Sequence, residues 1–126
     1  MWISREWKIQ AGHNLPHVPE GHKCRRPHGH TWTVRVWVSG PLDPELGWIV
    51  DYADLDEAWD ERVHQVLDHR VLNAVIDNPT TEHLAMWIYT RMANALIAKG
   101  VKVECVEIDE GDNGRCRLLA DAAGGG

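Results

Sequence analysis

A chain of 126 residues, 44% apolar and 25% charged, has room for one hydrophobic core and not for two. Its formal net charge of −6 argues against a general nucleic-acid binder, which carries a basic face. No run reaches the roughly 20 apolar residues that cross a bilayer, and three cysteines without a signal-like segment lead us to expect a reducing cytoplasm and no disulfide framework.

Trp2 to Gln10 alternates loosely, with Ile3, Arg5, Trp7 and Ile9 against Trp2, Ser4, Glu6 and Lys8, and predicts a first strand leading to His13. Asn14 to Pro27 holds three prolines and Gly21 and reads as an ordered loop. A second strand is predicted over about Gly29 to Ser39, broken by Gly40-Pro41-Leu42-Asp43-Pro44. Asp51 then serves as an N-cap for Leu55, Trp59, Val63, Val66 and Leu67 at helical spacing, and this helix should end near Asp68-His69.

The second helix is capped by Pro79-Thr80-Thr81-Glu82, with Glu82 as the capping-box residue. Its apolar face is Leu84, Trp87, Ile88, Met92, Ala95 and Leu96, and Gly100 stands where a C′ glycine belongs. Val101 to Asp109 predicts a third strand whose apolar phase changes after Cys105, as either a bulge near Cys105-Val106 or a strand covered on both faces would produce. A short fourth strand over about Arg115 to Leu119 follows Gly111-Asp112-Asn113-Gly114. Residues 1–119 should form one domain, and Ala120 to Gly126, without periodicity, should be disordered. The order ββααββ is an α+β pattern: two helices on one face of an antiparallel sheet.

The chemistry gathers at Cys24-Arg25-Arg26-Pro27-His28-Gly29-His30. Strand side chains alternate, so His28 and His30 point the same way about 7 Å apart. With His13 from the neighbouring strand they form a three-nitrogen site with an open fourth position, the arrangement of catalytic zinc. Imidazole also suits nickel, copper and iron. Cys24 is either a fourth ligand closing an inert site or a free thiol able to take a proton. Lys23, Arg25 and Arg26 are either solvated or hold an anionic substrate. Asp68-His69 is either a helix end or a proton-transfer pair, since a carboxylate fixes the tautomer of an adjacent imidazole. Glu110 is either a solvated charge or an acceptor for two parallel N–H bonds.

These residues resemble the 6-pyruvoyltetrahydropterin synthase-like enzymes, and within them the bacterial 6-carboxytetrahydropterin synthases of queuosine synthesis. The resemblance rests on Leu15 to Cys24, His28-Gly29-His30, Gly47-Trp48-Ile49-Val50-Asp51, Leu67-Asp68-His69, Leu72-Asn73, Asn78 to Glu82 and Glu110. It implies a T-fold (tunnelling fold) and a homohexamer with active sites at subunit interfaces. It implies zinc on His13, His28 and His30, Cys24 as catalytic base, and His69, oriented by Asp68, as second proton-transfer group from a neighbouring subunit. Glu110 would anchor a pterin ring or complete a relay, and the substrate would be 7,8-dihydroneopterin triphosphate, with no redox cofactor. Two rival readings are the 6-pyruvoyl reaction, which leaves the side chain uncleaved, and a non-catalytic zinc-stabilised pterin- or purine-binding module. Three positions depart from the family: Gly12, Pro27 and Gly111.

Overall fold

The computed structural model describes residues 1–123. β1 (Trp2–His13) and β2 (His28–Ser39) pair antiparallel over their full length, from Trp2 opposite Ser39 to His13 opposite His28. β4 (Lys102–Glu110) lies on the far side of β2, and β5 (Gly114–Leu119) pairs with β4, both antiparallel. A two-residue strand, β3 (Arg70–Val71), joins β1 in parallel, so the sheet order is β3-β1-β2-β4-β5. The expected antiparallel sheet is therefore mixed: the four long strands are antiparallel, and two residues too short to show a period supply the parallel edge.

The bulge in the third strand falls one residue earlier than expected. Trp37 pairs with Cys105 but Val38 with Val103, which leaves Glu104 as the extra residue. That insertion puts Val103, Val106 and Ile108 together in the core although their spacing is not alternating.

α1 (Tyr52–Trp59) is capped by Asp51, whose side chain accepts the Ala53 N–H at 2.9 Å. It runs through a π-helical turn (Asp60–His64) into α2 (Gln65–Leu67), and the helical path ends at Asp68 as the sequence predicts. α3 (Thr81–Leu96) buries Leu84, Ala85, Ile88, Met92 and Leu96 against the sheet. Its N-cap is Thr80, which accepts the His83 N–H at 3.1 Å. His83 thus holds the position a capping-box glutamate needs, and Glu82 contributes only its charge to the first turn.

Trp7 of β1 stacks on Trp59 of α1 at 4.7 Å, and its indole N–H donates to Asp56 at 2.9 Å. Ala120–Ala123 forms one helical turn, α4, where the sequence shows no element, and the rest of the expected disordered tail, 124–126, lies outside the described residues. No helix among the described residues is long and apolar enough to cross a membrane.

Candidate metal centre

The β1–β2 register places the three histidines at one end of the sheet. His13 faces His28, and His30 faces Ala11 two rungs below. The ring centroids lie 4.5 Å apart for His13 and His28, 5.1 Å for His13 and His30, and 4.8 Å for His28 and His30. The expected grouping of these three side chains is thus present in the folded chain.

His13 is 2% exposed. Its Nδ1 lies 2.7 Å from the carbonyl oxygen of Pro79, and a carbonyl oxygen only accepts, so Nδ1 carries the proton and Nε2 keeps its lone pair. The same reasoning applies to His28, whose Nδ1 donates to the Arg26 carbonyl at 2.8 Å. Carbonyl partners of this kind orient metal-binding imidazoles. Burial, with His28 and His30 close by, pushes the His13 pKa below its ordinary value despite the Pro79 hydrogen bond. The neutral ring is the metal-binding form.

Nε2 of His13 and Nε2 of His30 are both buried, and neither makes a hydrogen bond. Glu110, at the end of β4, brings Oε1 to 3.0 Å from His30 Nε2, near enough for an ion pair but without hydrogen-bond alignment. Its Oε2 accepts the hydroxyl of Thr81. One donor atom from each of His13, His28, His30 and Glu110 falls within 4.8 Å of all the others. Two orphaned buried nitrogens beside a carboxylate are costly when nothing binds them. This donor set fits a divalent transition-metal ion.

Cys24 stands outside that donor group. Its three-residue 3₁₀ turn (Lys23–Arg25) is held by His22, whose Nδ1 accepts the Cys24 N–H at 3.0 Å, and by Leu15, whose N–H donates to the Cys24 carbonyl at 2.7 Å. Cys24 lines a cavity of about 380 Å³ with Lys23, Arg26, His28, His30 and Glu110. Arg25, expected beside Lys23, is not among the lining residues; its guanidinium donates to the Val18 carbonyl at 3.0 Å, and Arg26 takes the place at the cavity.

Asp68 and His69 lie elsewhere in the chain. The Asp68 carboxylate accepts the Gln10 N–H at 2.8 Å and bonds His69 Nδ1 at 2.7 Å, with His64 Nε2 at 3.4 Å. His69 borders a different concavity, of about 490 Å³, with Gly12, His30, Thr31 and Arg70. Within one chain, therefore, His69 does not share the Cys24 cavity; His30 borders both. A larger groove, about 670 Å³ between β1 and the first helix, holds Trp7, Asp56 and His64 but no donor of the metal cluster.

The sequence did not single out Thr81 or the Pro79 carbonyl. The only signal was that Pro79-Thr80-Thr81 belongs to a segment matching the family. Gly111 adopts φ 64°, a left-handed turn that favours glycine. A Cβ on Gly12 would meet the His28 carbonyl at 3.3 Å, tighter than ordinary contact.

A five-stranded sheet of four long antiparallel strands and a short parallel edge, with a helical layer on one face and imidazoles gathered at one end, defines a T-fold protein with a cluster able to hold a metal ion. Residues 2–120 match the family described as 6-pyruvoyl tetrahydropterin synthase, and the chain belongs to that family. It is 37% identical over 114 residues to a 6-carboxy-5,6,7,8-tetrahydropterin synthase of Synechocystis, covering 85% of this chain and 87% of the relative. It is 34% identical over 103 residues to a dihydroneopterin monophosphate aldolase of Pyrococcus furiosus, covering 82% and 87%. The 6-pyruvoyl tetrahydropterin synthase structure of Caenorhabditis elegans superposes with a TM-score of 0.82 over 94% of each chain at 20% identity, a likeness of fold.

Proposed function

We propose that the chain is a zinc-dependent 6-carboxytetrahydropterin synthase. It converts 7,8-dihydroneopterin triphosphate and water to 6-carboxy-5,6,7,8-tetrahydropterin, acetaldehyde and triphosphate. The observation that carries this reading is the placement of Cys24: it faces the same cavity as His28, His30 and Glu110 yet stays outside the donor group. A thiol beside a metal centre that is not one of its ligands is free to move protons. The Synechocystis relative supports the carboxy branch.

His13, His28 and His30 hold the ion, which supplies Lewis-acid polarisation of the side-chain hydroxyls when bound. Cys24 takes a proton from the three-carbon side chain. Lys23 and Arg26, at the cavity wall, attract the triphosphate. Glu110 accepts N–H bonds from the pyrimidine edge of the ring. His69, its tautomer set by Asp68, handles proton transfer on the opposite side. Because His69 borders another concavity of its own chain, it serves the Cys24 cavity of a neighbouring copy, in a cytoplasmic homohexamer. The product then feeds 7-deazapurine synthesis, as for queuosine.

Incubation with 7,8-dihydroneopterin triphosphate should release acetaldehyde in step with triphosphate. Triphosphate without acetaldehyde would assign the 6-pyruvoyl reaction instead, and neither product would leave a binding module.

A further inference from the structure

A catalytic zinc centre keeps one position free of protein ligands, whereas four protein ligands close it. Here four donors gather, not three. Glu110 pairs with Trp32 across the β2–β4 ladder, two residues beyond His30, so strand register brings its carboxylate beside the imidazoles. The Thr81 hydroxyl, in the first turn of α3, holds Oε2 and leaves Oε1 next to His30 Nε2 at 3.0 Å. That nitrogen is buried and its contact with the carboxylate is not a hydrogen bond. Donors about 2.0–2.1 Å from a tetrahedral ion stand roughly 3.4 Å from one another. The His30–Glu110 spacing is therefore close to that of two ligands of one ion.

We propose that Glu110 is the fourth protein ligand of the substrate-free metal centre. Binding of the substrate's ring then draws the carboxylate off the ion and onto the ring N–H groups. The first statement stands on the donor geometry; the second rests on the pterin reading above. The resting centre is closed, and its fourth position opens only when a ring with the right donors is in place. Recognition and activation are thereby coupled through one side chain, because the carboxylate cannot satisfy both partners at once.

The test uses the full chain, stripped with a chelator and reloaded with Co²⁺, whose visible bands report ligand number and type. Glu110→Gln should bind Co²⁺ and Zn²⁺ about tenfold or more weakly, as expected for a disturbed ligand shell, and its visible bands should change. Circular dichroism of the metal-free forms checks that the variant folds. Should it fail, Glu110→Asp, with the charge kept but the reach shortened, must show the same losses. Unchanged affinity and bands would overturn the ligand assignment.

A pterin lacking the three-carbon side chain, added to the Co²⁺ protein, should move the bands towards those of Glu110→Gln. Binding of that pterin, followed by tryptophan fluorescence, with no change in the bands would overturn the exchange. A pterin that does not bind at all would overturn the pterin reading and the exchange with it, while the variant's metal affinity still decides the ligand assignment.

Discussion

Asp68 and Gln10, 58 positions apart, are joined by the Gln10 N–H, which donates to Asp68 Oδ1 at 2.8 Å, and the next residue adds a second bond, the His69 N–H donating to the Gln10 carbonyl at 2.6 Å. The pair ties the exit of the first helical path to β1 and turns the chain into β3. Burial alone would raise the Asp68 pKa, but the Gln10 amide, His69 and His64 together hold the carboxyl below its ordinary value. His69 meets the turn with φ 58°, the one positive φ among the described non-glycine residues.

That conformation separates stability from function at His69. An L-residue in the left-handed region costs about 1–2 kcal/mol, and glycine's extra freedom in the unfolded chain offsets roughly 1 kcal/mol of the relief. His69→Gly should therefore leave the melting temperature unchanged or slightly higher while turnover falls by about 10²–10⁴-fold, the usual worth of a proton-transfer group. A marked drop in melting temperature would show that the exposed His69–Asp68 contact holds the turn.

Cys24→Ala should abolish turnover and keep close to one metal ion per chain. The donor group does not include the thiol, so removing it leaves the imidazoles intact. Loss of the ion from this variant, measured by metal analysis after gel filtration, would place the sulfur among the ligands.

Metal removal should be felt by the whole fold. His13 Nε2 and His30 Nε2 are buried without partners, so an ion that binds only the folded chain stabilises it by mass action. At an ion concentration about a thousand times the dissociation constant, that amounts to about 4 kcal/mol. Thermal unfolding with and without chelator should differ by several degrees, and the difference should vanish in His13→Ala. Equal melting curves for the wild-type chain would mean that the cluster does not hold an ion.

What was legible in the sequence follows the range of the interactions. The three histidines could be grouped because strand alternation and one hairpin register fix them, both local rules. The helix caps at Asp51 and Thr80 were legible for the same reason. β3 was not, since two residues carry no period, and the Glu104 bulge could be placed only to within a residue. The entry of Glu110 into the donor group depends on the β2–β4 pairing and on Thr81 of α3, contacts that no spacing within one segment encodes. The choice of Arg26 over Arg25 at the cavity is set by one turn of 3₁₀ helix, below the resolution of any pattern in the sequence.

The sheet face turned away from the helices carries a row of paired charges. Register aligns Glu6, Arg35, Glu107 and Arg117 in one row across four strands. Glu107, 6% exposed, accepts the Trp37 indole N–H and the Arg117 guanidinium at 3.2 and 3.3 Å, with Arg35 at 3.6 Å. Burial would raise its pKa, but these partners together bring it below the ordinary value of 4.5. A carboxyl depressed in the folded state contributes stability that is present above its unfolded pKa and lost as pH falls through the folded one. Glu107→Gln keeps the shape and removes the charge, at an expected cost of about 1–3 kcal/mol at pH 7. The exposure of Arg117 to water puts the value at the lower end. Urea midpoints of the two proteins should thus differ at pH 7 and converge as pH falls below 4.5. A gap that stays constant to lower pH would mean that the lost hydrogen-bond geometry, and not the charge, carries the effect.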